Sequence, residues 1–206
     1  MTDEREAFSA WFLAGYPGQE ARLGTTLQFH KILEEASHRM SLVSRGDRNK
    51  LLTAHFQECL DPELISQLQS AHRILDVGTG GGLPGVLLAI MLPETPVTWL
   101  EPRERRTAFL ERCRLQLGLR QATVSQARIE TLAPQGELFD AITARALRWT
   151  PIMVKNMEAI AAESATLLRF GAEGPLPAGV THSPLGAGRF LQKWPRNTWA
   201  ALPKAP

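Results

Sequence analysis

The chain has 206 residues, 44% of them hydrophobic and 21% charged, with a net charge of +2 and only two cysteines, Cys59 and Cys113. This length and balance predict one globular domain with an N-terminal appendage and a sizeable core. The cysteines show neither a Cys-x-x-Cys spacing nor a companion histidine cluster, which argues against a disulfide framework and against a zinc or other metal site; both fall in helical-looking segments, as core thiols do. The apolar stretches are broken by Gly and Pro short of a bilayer span, and the start "MTDEREAFSAWF" is acidic where a signal peptide is basic. The expectation is a soluble, cytoplasmic protein with no membrane partner. A small positive charge permits an anionic partner without demanding one.

In chain order, residues 25–40 and 49–70 carry apolar side chains near helical spacing, such as Leu27, Ile32 and Leu33, then Leu52, Phe56 and Leu60, so residues 1–70 read as an all-helical cap. From residue 71 to 206 the pattern alternates: strand 73–77, helix 84–91, strand 97–100, helix 103–117, strands 123–126 and 139–144, helix 151–162 and strand 166–170. Strands and helices alternating at this spacing predict β-α-β units and a doubly wound, Rossmann-like α/β sheet. Gly and Pro thicken after Gly171 ("GAEGPLPAGV"), a loop before a last strand or hairpin around residues 188–194.

The stretch "ILDVGTGGGLPGVLLAI" joins the first strand to the first helix of this pattern. In such a sheet the ligand lies beyond the C-terminal ends of the strands, closest to this turn. Gly78 and Gly80 suit a backbone that takes unusual angles and lets a ligand rest on the main chain, although the G-x-G-x-x-G match from Gly80 to Gly85 is weak taken singly. Glu101 ends the second strand, where a carboxylate accepts hydrogen bonds from ribose hydroxyls. Asp76, two residues before Gly78, would repel a dinucleotide's pyrophosphate but suits the ammonium group of S-adenosylmethionine, which favours that cofactor over NAD. For both acids a helix-capping or surface carboxylate is the alternative.

The segments "FHKILEEASHRMSLVSRGDRNKLLTAHFQECL", "DVGTGGGLPGVLLAI", "LEPRERRTAFLERCRLQLGL", "ARIETLA" and "FDAITARAL" resemble the bacterial small-subunit rRNA guanine-N7 methyltransferases, the family also called glucose-inhibited division protein B. The resemblance runs from about Leu27 to Phe170, with Leu83-Pro84-Gly85 and Ala144-Arg145-Ala146 its most specific elements. It implies a class I S-adenosylmethionine-dependent methyltransferase fold, mostly parallel with an antiparallel last strand, acting on N7 of one guanine in 16S rRNA or the small ribosomal subunit. It further implies that Gly78, Leu83, Ile129, Glu130 and Arg145 contact the cofactor. The family's usual His-x-x-Asp-Ser-Leu reads His55-Phe56-Gln57-Glu58-Cys59-Leu60 here, and its usual Lys-Gly pair after the fifth strand reads Arg169-Phe170-Gly171.

The residues agree with much of this. Ile129 and Glu130 follow the third strand and Arg145 ends the fourth, all at the ligand edge of a parallel sheet. Arg145 is expected on a carboxylate, a phosphate or the guanine O6 edge, or else in an ion pair with Glu101 or Asp140. Guanine N7 has an in-plane lone pair and no proton to lose, so no catalytic base need be found. Basic residues around the rim, with Arg103, Arg105, Arg106, Arg112 and Arg114 crowding one helix, are candidates for RNA phosphates or simply a solvated face, and Trp149 for stacking on a base or for anchoring the core. The expectation is a monomer. A methyltransferase for another RNA or a small molecule, and a non-catalytic rRNA-binding domain, stay open as alternatives.

Overall fold

The computed structural model describes residues 2–132, 138–172, 174–186 and 189–202. The N-terminal third is helical: α1 (Thr2–Gly15), α2 (Glu20–Ser37), a 3₁₀ turn (Arg45–Lys50), a π-helical turn (Leu51–Phe56) continuing into α3 (Gln57–Cys59), and α4 (Pro62–Leu68). The helix expected over residues 49–70 is therefore broken. Pro62 has no N–H to continue it, and the Asp61 side chain restarts the chain as α4 by accepting the Glu63 N–H at 2.9 Å.

The rest alternates as the pattern predicts: β1 (Ile74–Val77), α5 (Gly85–Met91), β2 (Val97–Leu100), α6 (Glu104–Gln116), β3 (Ala122–Ser125), a 3₁₀ turn (Ile129–Thr131), β4 (Phe139–Arg145), α7 (Pro151–Ile160), β5 (Ala161–Ala172), β6 (Thr181–Gly186) and β7 (Arg189–Pro195), closed by a 3₁₀ turn (Arg196–Ala201). The seven strands lie in the order β3-β2-β1-β4-β5-β7-β6. The first five are parallel, β7 runs antiparallel to β5, and β6 pairs antiparallel with β7 as the edge strand. An edge place suits β6, whose Pro184 cannot donate to a second neighbour. β5 is longer than expected, starting directly from α7. The hairpin expected around residues 188–194 is β7 with β6, its first residue, Gly188, lying outside the described residues.

Side chains alternate across the sheet, and the alternation decides what each face meets. Ile74, Ala141, Leu168, Phe170 and Leu191 face one way and join a core with Phe8, Phe29, Phe56, Leu64, Leu87 and Trp99 from the N-terminal helices, α5 and β2. Leu75, Val77, Ile142, Ala144 and Leu167 face the other way, under Met153, Met157 and Ile160 of α7 and Trp194 and Trp199. The N-terminal helices thus share one core with the sheet. Cys59 and Cys113 are buried, and burial pushes both thiols up to about 12, as inert core residues. Among the described residues no helix is long and apolar enough to cross a membrane.

Candidate functional site

Strand order reverses between β2-β1 and β4, which opens a crevice at the C-terminal ends of β1 and β4. A cavity of about 400 Å³ occupies it, lined by Gly78, Gly80 and Leu83 of the glycine loop, Arg145 at the end of β4, His55 of the N-terminal helices and Arg189 of β7, among others. Gly78 and Gly80 have φ of +72° and +59°, a region that side-chain-bearing residues resist, so the turn itself needs glycine there. Gly85 is bare for a different reason: a Cβ would stand 2.6 Å from Asp76 Oδ2 and 2.7 Å from a Trp99 ring carbon. Only part of the glycine richness therefore serves the cavity; the rest seats α5 on the sheet.

Two carboxylates hold the loop from behind. Asp76 is 1% exposed; its Oδ2 accepts the Gly85 N–H at 3.0 Å and its Oδ1 accepts the Thr143 hydroxyl at 2.8 Å. Burial lifts its carboxyl to about 6, against the pull of those donors. Asp76, expected from the sequence at a ligand's ammonium, ties the start of α5 to β4. Glu101 is 3% exposed, with Oε2 accepting the Gly80 N–H at 3.1 Å, Oε1 accepting the Arg103 N–H at 3.0 Å and Arg106 Nη1 3.8 Å away. It staples the loop to the first turn of α6.

Arg145 follows Ala141 and Thr143 on the face toward the N-terminal helices, and there it finds partners the sequence did not suggest. Its Nη2 donates to Glu58 Oε2 at 3.2 Å and to His55 Nδ1, while His55 Nε2 lies 3.5 Å from Asp47 Oδ2. Arg189, two residues before Leu191 and on the same face, brings its Nε within 3.9 Å of Glu58 Oε1. The ion pair expected with Glu101 or Asp140 does not form: Asp140 accepts the backbone N–H groups of His72 and Arg73 at 2.7 and 2.8 Å. Burial and the Arg145 charge hold His55 below its usual range, and with Arg145 donating to Nδ1 the ring accepts there and carries its proton on Nε2, toward Asp47. A carboxylate buried between Phe56 and Cys59 was the available sequence signal for Glu58, since such a group must find a cation.

Ile129 and Glu130 form the 3₁₀ turn after β3, with Ile129 buried in the second core and both carbonyls accepting Asn156 Nδ2. They are not among the residues lining the cavity, nor is Glu101, which sits behind Gly80. Trp149 is 1% exposed and packs with α7, so it anchors the core and offers no face to a base. Lys193 lies by His72 and Asp140, away from the glycine loop.

The donor set fits a ligand that carries a carboxylate or phosphate group. The Arg145 Nε is buried and has no acceptor among the described residues, which suits an incoming carboxylate or phosphate oxygen, and the bare backbone at Gly78 and Gly80 allows close approach.

The rRNA small subunit methyltransferase G (GidB) family profile matches residues 23–172. Curated relatives called ribosomal RNA small subunit methyltransferase G include that of Ralstonia nicotianae, 35% identical over 71% of this chain and 68% of its own length. That of Hydrogenovibrio crunogenus is 30% identical over 68% of this chain and 67% of its own. Among solved structures, a SAM-dependent methyltransferase from Aquifex aeolicus superposes with a TM-score of 0.56 at 18% identity, covering 74% of this chain and 98% of that one, a likeness of fold.

Proposed function

This chain belongs to the rRNA small subunit methyltransferase G family, and from that premise we propose that it methylates N7 of a guanine in 16S rRNA with S-adenosylmethionine as donor. The observation that carries the reading is the cavity at the strand reversal, lined by a bare glycine loop and by an arginine whose buried Nε has no acceptor among the described residues. Bound there, the cofactor would supply an electrophilic methyl group on a sulfonium.

In this reading the main chain at Gly78 and Gly80 carries the methionine portion, with Leu83 as apolar wall and Arg145 on its carboxylate. Glu101 has a second lone pair on each oxygen beyond the two backbone bonds, enough to accept from ribose hydroxyls if the loop yields slightly. Ile129 and Glu130, at the same sheet edge, serve the adenine. Guanine N7 presents a lone pair and no proton, so the protein's work is alignment and exclusion of water. That is consistent with a cavity whose ionisable groups are already paired: Arg145 and Arg189 on Glu58, Arg106 near Glu101, His55 on Asp47. The helices over residues 1–70 act as a cap over the glycine loop, and the setting is the cytoplasm, where rRNA is.

Primer extension across 16S rRNA after reductive cleavage at N7-methylguanosine, in cells with and without the gene, tests the assignment. One stop that depends on the gene is the expected result. Tritium transfer from S-adenosylmethionine to a small molecule but not to rRNA would overturn it, as would rRNA binding without any transfer.

A further inference from the structure

Four of the five arginines on or beside α6 divide by partner. Arg106 lies near Glu101 and donates to the Ser41 carbonyl at 3.3 Å, and Arg114 is paired with Glu111 at 2.5 Å. Arg105 and Arg112 are exposed and have no carboxylate partner among the described residues; Arg112 only lies over the Phe109 ring, 5.8 Å from its centre. Both line a groove of about 540 Å³ between α6 and the end of α2, faced by Arg39 and His38 and floored by Met40 and Phe109. Arg39 too is exposed and without a carboxylate partner among the described residues. Glu35 is the only carboxylate among the lining residues, so the groove carries a surplus of positive charge that the protein does not neutralise.

This groove and the glycine-loop cavity share walls. The segment after α2 supplies Met40 to the groove and Leu42, Val43 and Ser44 to the cavity, while α6 supplies Arg105 to the one and Arg106 to the other. The partition between them is the Arg106 bond to Ser41. A nucleotide placed in the cavity therefore has its neighbours in the same strand within reach of the groove. Three guanidiniums against one carboxylate, over an apolar floor, match a phosphodiester strand, whose charge they would neutralise while the floor takes a base or ribose face.

We propose that the groove formed by Arg39, Arg105 and Arg112 is where the rRNA strand flanking the target guanine docks, with the cap supplying one wall. The inference rests on the reading of the protein as an rRNA methyltransferase. It separates the arginines that bind RNA from Arg106 and Arg114, which serve the fold.

The test uses the full chain, an in vitro transcript of 16S rRNA, and the double variant Arg39→Ala/Arg112→Ala, with Arg114→Ala as control. Filter binding across a salt series should give an affinity for the transcript lower on the order of tenfold or more. The slope of log K against log salt should be shallower by about 0.7–0.9 per contact removed. S-adenosylmethionine affinity by calorimetry should be unchanged, the control should match wild type, and Arg39→Lys/Arg112→Lys should recover the slope. RNA affinity and slope unchanged in the double variant, or an equal loss in Arg114→Ala, would overturn the groove. Wild-type protein that binds the transcript through the groove but transfers no methyl group to RNA would instead overturn the methyltransferase reading and leave the groove standing.

Discussion

Replacing Glu101 by Gln changes almost no volume, yet it should destabilise the ligand-free protein. The two carboxylate oxygens accept from two fixed backbone donors, the Gly80 and Arg103 N–H groups, in a site 3% exposed. An amide has one oxygen and one NH₂, so whichever way it turns, one of those N–H groups faces another donor. Leaving a buried N–H without an acceptor costs about 1–3 kcal/mol, and the surviving bond loses its charge assistance, roughly another 1 kcal/mol. The nearby Arg106, at 3.8 Å and part-exposed, adds little. The total, about 2–4 kcal/mol, corresponds to a fall in Tm of roughly 5–15 °C for a chain of this size. Scanning calorimetry and urea unfolding without cofactor measure it directly, and titration with S-adenosylmethionine should then reveal a further loss if Glu101 also holds the ribose. A Glu101→Gln protein that unfolds at the wild-type temperature would refute the staple, and with it the account of why this loop is held in place.

Asp76→Asn should behave oppositely, because the Thr143 hydroxyl can turn from donor to acceptor and satisfy the new NH₂ while the Gly85 N–H keeps its oxygen. Burial raises the Asp76 carboxyl from 3.8 to about 6, so the unfolded chain releases that proton first; wild-type stability should fall as pH rises from about 4 to 6, by up to roughly 3 kcal/mol, and level off above. In Asp76→Asn that part of the slope should vanish, and urea midpoints across pH that keep it would assign the effect to another group. Gly85→Ala should cost about 1–3 kcal/mol by overpacking against Asp76 and Trp99, whereas Gly24→Ala, with open space at its Cβ inside α2, should stabilise by about 0.5–1 kcal/mol; equal unfolding midpoints would contradict both. Arg145→Ala should reduce methyl transfer to rRNA by about 2–4 kcal/mol in activation free energy, with circular dichroism unchanged, and an undiminished rate would remove Arg145 from the active centre.

The sheet was legible because its strands are short, apolar and separated by helices of regular period: residues 97–100 carry the same bounds in sequence and structure, and the other parallel strands differ mainly at their ends. The glycine loop was legible in place but only half in purpose. Nothing in the string "GTGGGLPG" distinguishes glycines that shape the cavity from those that clear space for Trp99 or Asp76, since the clash lies across the fold. The same limit hid the partners of Arg145. Its strand period fixes the face, but what stands on that face is set by a helix ninety residues earlier, and pairing over that distance leaves no local pattern. The break at Pro62 was readable and was outweighed by the apolar spacing on either side of it.

Glu58 also bears on what the N-terminal helices are for. A topological boundary near residue 70 separates all-helical chain from the alternating pattern, yet the physical boundary is absent on the face they cover. Phe29, Phe56 and Leu64 share a core with Trp99, Phe170 and Leu191. Two guanidiniums from separate strands, Arg145 and Arg189, converge on the one Glu58 carboxylate, which is 9% exposed. Without that carboxylate the like charges would repel across a site with little water to screen them, and breaking such a pair costs more than forming it returns. Because β4 and β7 lie on either side of β5, only a group arriving from above the sheet can satisfy both arginines, and α3 is the element there. The N-terminal helices and the segments between them therefore hold Arg145 in orientation as well as lining the cavity, and a change in how they sit would be felt first at the end of β4.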